Sequence, residues 1–468
     1  MITPRPGSPH SYTVKRIMPS GTLSGSAAVS TQARFASAVA CRSRCARNSP
    51  SVIGPPRLPR QRSAACQHPI SDRQLRAYYT EKAKKRPGGI DRTGAGQLGD
   101  ALVERDGPVP PQRGAHGGNA MLEQQGVLVD GAEGEGGGQV LRTSLSLAMV
   151  TGIPFEIINI RANRRNPGLQ AQHLQALLAA QQICGATVEG ATQGSRRVRF
   201  IPGKPSGGSY RFDIATAGST SLVLHTVYLP LLRCAQASTV QIIGGTHVPW
   251  SPTFNHLIDA WLPRLQAMGV SIDLRLRRAG FYPEGGGEIV ARIDPAPVLK
   301  PLWLDTRGPL QAVHLYSAHS NLRDEVAQRQ TQAAQRLLQG AGLEPVIEQT
   351  QLASRSRNTV CAVTGVFERT RVCYTALGER GKRAERVAEE ACRAFLAFLE
   401  TDATVDEYLA DQLVLPLALA SGPSRFRTPR LTAHLFTNIA TIGKFLPVEI
   451  RLTGTRGAPG DVDVMPTP

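Results

Sequence analysis

The chain has 468 residues, 41% of them apolar, and its 54 Lys and Arg residues against 36 Asp and Glu give a formal net charge of +18. This length and apolar content are enough to bury at least one large core, which excludes a wholly disordered or fibrous protein. No apolar run reaches the roughly 18–20 residues that a membrane-spanning helix requires, so we expect a soluble protein. Its scattered single cysteines fit a reducing compartment, so we expect a cytoplasmic location.

The positive charge is concentrated at the N-terminus, where residues 1–120 carry 19 basic and 6 acidic residues. They lack apolar periodicity, so we expect a disordered basic extension. Two origins fit its composition: an organellar transit peptide, or an extension translated from upstream of the natural start, because patterned sequence begins only at Met121. The eight cysteines are scattered without a CxxC pair, which argues against a zinc site or a disulfide framework.

From Met121 onward, the pattern of helix starts and stops indicates a repeated unit of about 80 residues. The first copy is predicted to contain strands at 124–130 and 155–161, helices at 138–151 and 169–184, and a hairpin of 187–190 with 197–201. The second copy is predicted to contain helices at 218–234 and 253–268, a strand at 238–244, and a hairpin of 270–277 with 288–293. Gly185 and Gly269 end equivalent helices, which keeps the two copies in near register.

A third, shorter copy is predicted near the C-terminus, with helices at 405–420 and 437–445 and strands at 424–428 and 448–452. Between the second and third copies, residues 301–402 are predicted to form a small inserted domain with four strands and two helices. We therefore expect an α+β (α/β) fold in which three βαβαββ repeats share a helical core. The expected parts are a repeat-built catalytic domain at 121–300 and 403–455, the insert at 301–402, and a disordered tail at 456–468.

The most informative segment is a glycine-rich loop that leads directly into a predicted helix, VDGAEGEGGGQVLRTSLSLA at 129–148. Gly134, Gly136, Gly137 and Gly138 permit positive φ and close approach of a ligand, and the free N–H groups at a helix start favour an anion such as phosphate. The spacing matches neither a dinucleotide-binding fingerprint nor a P-loop. A tight structural turn is an equally good interpretation of the loop alone.

Acidic residues in this loop would repel a phosphate unless a cation lies between them. Mg²⁺ or Mn²⁺ held by Glu135, with phosphate oxygens as further ligands, would resolve the conflict. Arg142, two turns into the predicted helix, can also supply positive charge, although its position alone is compatible with a solvent-facing arginine.

A second polar group follows the next predicted strand, in IRANRRNPGLQAQHLQALLAA at 160–180. Arg161, Arg164 and Arg165 occur where a dinucleotide-binding enzyme places an acidic ribose ligand, and the opposite charge favours a phosphorylated partner. Gln172 and His173 begin the following helix and are expected to face the same end of the sheet. A lone histidine at a helix start is also compatible with a capping role.

These segments closely resemble the RNA 3′-terminal phosphate cyclase family. The similarity runs in order through residues 121–453, and the most diagnostic string is HLFTNIATIGKFLP at 434–447. Further matching strings are ATAGSTSLVLHTVYLPLL at 215–232, GGTHVPWSPTFNHL at 244–257, YPEGGGE at 282–288 and ADQLVLPLALA at 410–420. The resemblance implies three βαβαββ units related to the C-terminal domain of translation initiation factor 3, with a small inserted domain.

The resemblance also implies an enzyme that uses ATP to convert an RNA 3′-terminal phosphate into a 2′,3′-cyclic phosphate. Its reaction passes through a histidine–AMP intermediate and then an RNA–pyrophosphoryl–adenosine intermediate. The family's nucleophile falls on His434, and a neutral imidazole has the free lone pair that this role needs. Without the resemblance, His434 would be interpreted as a structural residue.

Other positions take their roles from the same resemblance. Glu135 resembles the carboxylate that holds Mg²⁺ or Mn²⁺ on the ATP phosphates. Arg142, Arg161 and Arg164 resemble arginines near the phosphates of ATP and of the RNA end, where a permanently charged, forked side chain is useful.

The adenine of ATP is implied to lie between Pro252 and Tyr408. Four polar residues are implied to belong to the same pocket: Gln172, His173, Asp411 and Gln412. His225 departs from the pattern, because bacterial relatives usually carry Gln at that position.

Two other functions are compatible with part of the sequence. A cyclase-like ribosome-biogenesis factor shares the fold and takes part in ribosomal RNA processing without catalysis, but that branch lacks the histidine that His434 supplies. An enolpyruvyl-transferase-like enzyme would use similar repeats to bind a small phosphorylated substrate, but neither His434 nor the arginine segment supports it. The expected ligands are therefore RNA 3′-phosphate ends and ATP, with no membrane and no obligate protein partner.

Overall fold

The computed structural model describes residues 126–466, and the predicted basic extension at 1–120 lies outside them. The described residues form a mixed α/β fold with four sheets and eight helices, in general agreement with the α+β class expected from sequence. No helix within 126–466 is both long enough and apolar enough to span a membrane.

The first sheet is connected by two helices and closed by a hairpin. Its strands are β1 (Val127–Asp130), β2 (Phe155–Ile158), β3 (Thr187–Glu189) and β4 (Val198–Ile201), and its helices are α1 (Gln139–Thr151) and α2 (Ala171–Cys184). The strand order is β1-β2-β4-β3, with β1 parallel to β2 and the other neighbours antiparallel. Each helix ends at a left-handed glycine, Gly152 or Gly185, which stops it sharply.

The second sheet has the same connectivity. Its strands are β5 (Ser209–Asp213), β6 (Ser238–Gly244), β7 (Ile272–Arg278) and β8 (Gly287–Ile293), in the order β5-β6-β8-β7. Its helices are α3 (Thr220–Leu232) and α4, which consists of Phe254–His256, a π-helical turn at Leu257–Trp261, and Leu262–Ala267. Strand β5 was not predicted, because its five residues follow a segment rich in Pro and Gly.

The third sheet has its own hydrophobic core. Its elements are β9 (Leu310–Ser320), α5 (Asp324–Gly340), β10 (Pro345–Gln351), β11 (Asn358–Phe367), β12 (Arg371–Leu377) and α6 (Ala384–Leu399). The strand order is β10-β9-β11-β12, and α5 packs against α6 on the sheet. Val363, Phe395 and Phe398 are among the residues buried in this separate core.

The fourth sheet completes the fold. Its elements are α7 (Glu407–Ala418), β13 (Ser424–Thr428), α8 (Ala433–Phe445), β14 (Val448–Gly454) and β15 (Gly460–Pro466), and its order is β13-β15-β14. The predicted disordered tail at 456–468 is therefore wrong as far as Pro466, because β15 is the central strand and pairs on both sides. Alternate residues of β15, including Val462 and Val464, face the core.

Helices from different parts of the chain meet in the main core. Helix α1 packs against α2, α3 and α8, and α8 also packs against α7. Leu141, Leu145 and Leu147 of α1 are fully buried there. This packing brings the start of α8 beside the glycine loop that precedes α1, although the two segments are about 300 residues apart in sequence.

Candidate active site

The glycine loop between β1 and α1 is shaped by contact with α8. Gly134 adopts φ +61°, and a Cβ placed on it would lie 2.3 Å from Thr437 Oγ1, so any larger residue would clash with the Thr437 side chain. The backbone N–H of Glu135 donates a hydrogen bond to Thr437 Oγ1 at 3.1 Å. The loop therefore presents the Glu135 side chain toward the start of α8.

The N-terminus of α1 has no side-chain cap. Its N-cap is Gly138, which leaves the first N–H groups of the helix free to bind an anion. A Cβ on Gly138 would lie 2.1 Å from His173 Nε2 and 2.9 Å from Arg142 Nη1. Glycine is thus required here because these two side chains approach the backbone closely.

His434 lies on the first turn of α8, close to this loop. The helix begins at Ala433 because the N-cap Thr432 accepts a hydrogen bond from the Leu435 N–H at 3.0 Å. His434 Nδ1 lies 2.8 Å from Gln139 Oε1 and 2.5 Å from Glu135 Oε2, and half of its side chain is exposed. A proton on Nδ1 can be donated to either oxygen, which leaves Nε2 with its lone pair.

Glu135 joins His434 to Arg164. Its other oxygen, Oε1, accepts a hydrogen bond from the Arg164 guanidinium. Burial disfavours the charged form of Glu135, but hydrogen bonds and positive charge from His434 and Arg164 outweigh this effect and hold the pKa of Glu135 below its usual range. Of the predicted site residues, Glu135, Arg164 and His434 are therefore in direct contact.

Arg142 and His173 lie on the other side of the α1 N-terminus. Burial lowers the pKa of the Arg142 guanidinium to about 10, partly offset by Glu135. Burial and the positive charges of Arg142 and Arg161 lower the pKa of His173 to about 3, so this imidazole is neutral at pH 7. His173 Nδ1 accepts a hydrogen bond from the Gln170 N–H at 3.2 Å, as expected for a capping role.

Arg161 is held by its own loop. Its Nη1 donates hydrogen bonds to the carbonyl oxygens of Asn166, at 2.5 Å, and Gly168, at 3.3 Å. Burial and the nearby Arg164 lower the pKa of its guanidinium. The structure therefore places Arg161 beside the site but does not bring it into contact with Glu135 or His434.

The two residues expected at the adenine lie near the N-termini of α4 and α7. Pro252 accepts a hydrogen bond at its carbonyl from Ser221 Oγ at 2.8 Å. Tyr408 is largely exposed and makes an edge contact with Tyr374, their ring centroids 6.4 Å apart. The two helix starts meet at a contact between His256, in the first turn of α4, and Asp406, the N-cap of α7. His256 Nε2 lies 3.3 Å from Asp406 Oδ1.

The remaining predicted pocket residues make structural contacts. Gln172 Oε1 accepts a hydrogen bond from the Ser219 N–H at 3.1 Å, which joins α2 to the start of α3. Asp411 Oδ1 accepts a hydrogen bond from Thr432 Oγ1 at 2.6 Å, and burial raises the pKa of Asp411 to about 7. Gln412 Nε2 donates to the Tyr408 carbonyl at 3.0 Å. Asp411 thus supports the helix cap next to His434.

Three residues at the site were not singled out from sequence: Gln139, Thr437 and Asn438. Asn438 Oδ1 accepts a hydrogen bond from Thr143 Oγ1 at 2.7 Å, and its Nδ2 donates to the Asp411 carbonyl at 2.9 Å. It therefore connects α8 to both α1 and α7. The sequence signal for these residues is that they lie within the segments 129–148 and 434–447, which match the family. Their contact partners are distant in sequence.

His225, the residue that departs from the family pattern, packs inside the molecule. Its ring lies 4.8 Å from that of Trp261, and its Nε2 is buried without a hydrogen bond to a described residue. Burial, with smaller effects from Arg142 and His256, lowers the pKa of His225 to about 3. It is therefore an uncharged residue of the helical core.

The arrangement combines a free helix N-terminus, arginines and an oriented histidine in one place. Such a site can bind a phosphorylated ligand and present a nitrogen nucleophile to it. Among residues 126–466, no group of three or more His, Cys, Asp or Glu side chains is arranged to hold a metal ion. The site thus has the features of a phosphate-handling enzyme.

Comparison with known proteins identifies the family. The profile described as RNA 3′-terminal phosphate cyclase matches residues 133–452. A protein named RNA 3′-terminal phosphate cyclase from Ralstonia nicotianae is 48% identical over 71% of this chain and 95% of its own length. Proteins of the same name from Methylococcus capsulatus and Methanothermobacter thermautotrophicus are 43% and 40% identical, over 70% and 72% of this chain and 93% and 100% of their own lengths. The chain belongs to the RNA 3′-terminal phosphate cyclase family, which confirms the resemblance inferred from sequence.

Proposed function

We propose that this chain uses ATP to convert an RNA 3′-terminal phosphate into a 2′,3′-cyclic phosphate, with His434 as the nucleophile. Family membership makes it an enzyme of the RNA 3′-terminal phosphate cyclase type. The observation that carries the proposed mechanism is the contact of His434 Nδ1 with Glu135 and Gln139 beside the α1 N-terminus.

In the first step, His434 Nε2 attacks the α-phosphorus of ATP. A nitrogen–phosphorus bond forms, the bond from the α-phosphorus to the bridging oxygen breaks, and pyrophosphate leaves. Glu135 and Gln139 favour this step because an acceptor at Nδ1 fixes the tautomer and orients the lone pair of Nε2. The half-exposed ring is accessible to a nucleotide.

In the second step, an oxygen of the RNA 3′-phosphate attacks the adenylyl phosphorus and releases His434. The product is an RNA–pyrophosphoryl–adenosine. The neighbouring 2′-hydroxyl then attacks the terminal phosphorus of the RNA, its proton is released, and AMP leaves. Because this hydroxyl is already adjacent to the reacting phosphorus, proximity supplies much of the assistance.

The arginines are proposed to bind the phosphates in these steps. Arg142 and Arg164 lie at the α1 N-terminus, where their positive charge adds to that of the free N–H groups. Arg161 stabilises the adjoining loop and contributes charge from there. Together they would stabilise the negative charge on the phosphates of ATP and of the RNA end.

Glu135 is the proposed ligand for Mg²⁺ or Mn²⁺. One partly buried carboxylate fits a cation that takes its remaining ligands from nucleotide phosphates and water, which is how Mg²⁺ is usually bound in such enzymes. When bound, the cation would neutralise charge on the ATP phosphates. The Oε2 atom of Glu135 is buried and lies against His434 Nδ1, so a cation bound there would share this oxygen with the histidine.

The adenine is proposed to bind between Pro252 and Tyr408. The exposed Tyr408 ring and the meeting of α4 and α7 support this placement. Gln172, His173, Asp411 and Gln412 would provide the polar part of the pocket. The neutral state of His173 suits a site where an uncharged donor or acceptor is needed.

We also propose that the three α/β sheets of the catalytic part are copies of one βαβαββ unit, as in the C-terminal domain of translation initiation factor 3. The equal strand order of the first two sheets supports this, and the fourth sheet has the same order without the first strand. The catalytic part would then comprise 121–300 with 403–466, and 301–402 would be the insert. The buried, free cysteines are consistent with a cytoplasmic location.

The alternative is a non-catalytic cyclase-like factor in ribosomal RNA processing. The orientation of His434 favours the enzyme, because a non-catalytic protein has no need for an exposed imidazole held by a carboxylate. The two functions differ in whether ATP labels the protein covalently.

The test is incubation with α-labelled ATP and a divalent cation, followed by denaturing electrophoresis. We expect a labelled protein whose linkage is acid-labile and alkali-stable, and no label in His434→Ala or His434→Asn. Both variants should still cyclise an RNA whose 3′ end is supplied already adenylylated. Covalent label in either variant would show that His434 is not the nucleophile. His314→Ala, at a partly exposed histidine of the insert, is the control and should label normally.

A further inference from the structure

Trp250 has an unusual position on the surface. Its side chain is 99% exposed, and its backbone adopts φ +63°, a conformation that bulky residues rarely adopt. A fully exposed ring gains no stability from packing. The stability of the protein therefore does not explain the presence of Trp at a position with a left-handed backbone. Tyr282, on another loop, is 65% exposed.

The loops that carry these two aromatic residues run side by side. The His247 N–H donates to the Gly280 carbonyl at 3.0 Å, and the His247 ring stacks on Phe281 with the centroids 5.2 Å apart. Both loops leave the same end of the second sheet, where Gly244 of β6 pairs with Gly287 of β8. Trp250 and Tyr282 therefore belong to one surface.

This surface adjoins the candidate active site. A Cβ on Gly285 would lie 2.7 Å from the Ala217 Cα, so the Tyr282 loop packs on the segment that leads into α3. A Cβ on the next residue of that segment, Gly218, would lie 2.9 Å from the Gln172 Cβ. On the Trp250 side, the Ser221 hydroxyl binds the Pro252 carbonyl. Both aromatic loops thus border the edge of the site formed by α2 and α3.

The third sheet contributes positive charge to this surface. The Ala279 N–H donates to the Ala353 carbonyl at 2.9 Å, and Ser356 Oγ donates to the Phe281 carbonyl at 3.3 Å, which holds the segment after β10 against the Tyr282 loop. Arg355 lies beside Gly286, and both Arg355 and Arg357 are exposed. Neither arginine forms an ion pair with another described residue, and Arg357 Nε donates a hydrogen bond to the Asn321 carbonyl at 3.1 Å, just before α5.

Exposed aromatic rings near exposed arginines that form no ion pair with a described residue are suited to one class of ligand. Single-stranded RNA stacks its bases on aromatic rings and places its phosphates on arginines, largely without regard to sequence. We infer that Trp250 and Tyr282, with Arg355 and Arg357, bind the single-stranded RNA that leads to the reacting 3′ end. This inference rests on the proposed function, because it assigns the path of the same substrate.

The test uses the full chain and a fluorescent, unstructured ten-nucleotide RNA with a 3′-phosphate. Trp250→Gly removes the ring and relieves the left-handed conformation, so its melting temperature should be unchanged or higher. Its Kd for the RNA should rise roughly 5- to 100-fold. The control is Trp303→Ala, which removes another exposed tryptophan, on the segment that leads into β9, and should leave the Kd unchanged.

A second pair of variants tests the arginines. The slope of log Kd against log salt should decrease by about 1.4 in R355Q/R357Q, because each phosphate contact on single-stranded nucleic acid contributes about 0.7. Arg336→Gln is the control. Arg357 contacts Asn321 just before the start of α5, and Arg336 lies about 18 Å further along that helix. It should leave the slope unchanged.

Labelling of the protein by ATP alone separates this inference from the proposed function. If the wild-type chain fails to label, the proposed function is wrong, and the RNA affinities still decide whether the surface binds RNA. Wild-type RNA affinity in Trp250→Gly and in R355Q/R357Q would overturn the inference, and would leave the surface to a protein partner. A raised ATP requirement for labelling of Trp250→Gly, with normal RNA affinity, would also overturn it by placing Trp250 at the nucleotide.

Discussion

The Glu135 side chain has three roles, and all three use the same carboxylate. It accepts hydrogen bonds from Arg164, lies against His434, and is the proposed ligand of a divalent cation. The positive neighbours keep it ionised at neutral pH, which a metal ligand requires. A metal cation would therefore have to share Glu135 with the Arg164 guanidinium and the Nδ1 of His434, so its binding should depend strongly on ATP phosphates.

Replacing Glu135 should affect activity through the metal. We expect Glu135→Gln to lower the rate of protein labelling by ATP about 10- to 100-fold at limiting Mg²⁺, with partial recovery at high Mn²⁺. Glu133→Gln is the matched control, because Glu133 is in the same loop but is 52% exposed and pairs with Lys444. Equal labelling of Glu135→Gln and wild type at limiting metal would exclude Glu135 as a ligand.

Asp411 predicts a dependence of stability on pH. Its pKa is raised by burial to about 7 in the folded chain, above its value in the unfolded chain. The folded state therefore binds more protons between about pH 4 and pH 7, and stability falls as pH rises through that range. The cost of keeping Asp411 ionised is fully present above pH 7 and disappears at about pH 4.

Asp411→Asn should remove this cost while keeping an acceptor for Thr432. The free energy of unfolding of this variant should exceed that of wild type, and the excess should be largest above pH 7. The excess is at most about 1.4 kcal/mol for each unit that separates the folded and unfolded pKa values of Asp411. Urea unfolding at a series of pH values measures the difference. Asp273→Asn, at an exposed position on β7, should show none. A constant difference from pH 4 to pH 8 would contradict the raised pKa.

Sequence patterns predicted most helices and strands, together with the two hairpins that close the first two sheets, but not which distant elements pack together. Helix α8 was predicted to begin at Thr437, whereas Thr432 caps it and it begins at Ala433, which places His434 on its first turn. Strand β15 was missed because acidic residues alternate with its valines, and the pattern of a half-buried strand was too short to recognise before a terminal proline. The contact of His434 with Glu135 depends on packing between distant helices, which no local pattern contains.

The link between α1 and α8 can be measured directly. Thr143 Oγ1 donates to Asn438 Oδ1 in a buried position, so loss of one partner leaves the other unsatisfied. We expect Asn438→Ala to destabilise the fold by about 1–3 kcal/mol. In a double-mutant cycle with Thr143→Val, the coupling should be about 0.5–3 kcal/mol. The exposed pair Arg329–Glu385 is the control and should couple by less than about 1 kcal/mol. Additive effects of Thr143→Val and Asn438→Ala would contradict the bond.

The candidate active site is assembled from both ends of the described chain. The glycine loop follows the first strand, and His434 precedes the last two strands, so neither half of the site exists without the other. Helix α8 packs against β14 of the fourth sheet and against helices α1 and α7. The stability of the last sheet therefore affects the position of the nucleophile.

The last strand provides the test of this dependence. Strand β15 lies between β13 and β14, so deleting residues 460–468 removes hydrogen bonds on both sides, and it removes the buried side chains of Val462 and Val464. The two remaining strands are not neighbours in the sheet, and they would leave backbone groups and apolar surface without partners. We expect the shortened chain to lose its cooperative thermal transition and its labelling by ATP, whereas deletion of 467–468 alone should preserve both. If the chain without 460–468 melted and labelled like wild type, β15 would not be required to hold α8 and His434 in place.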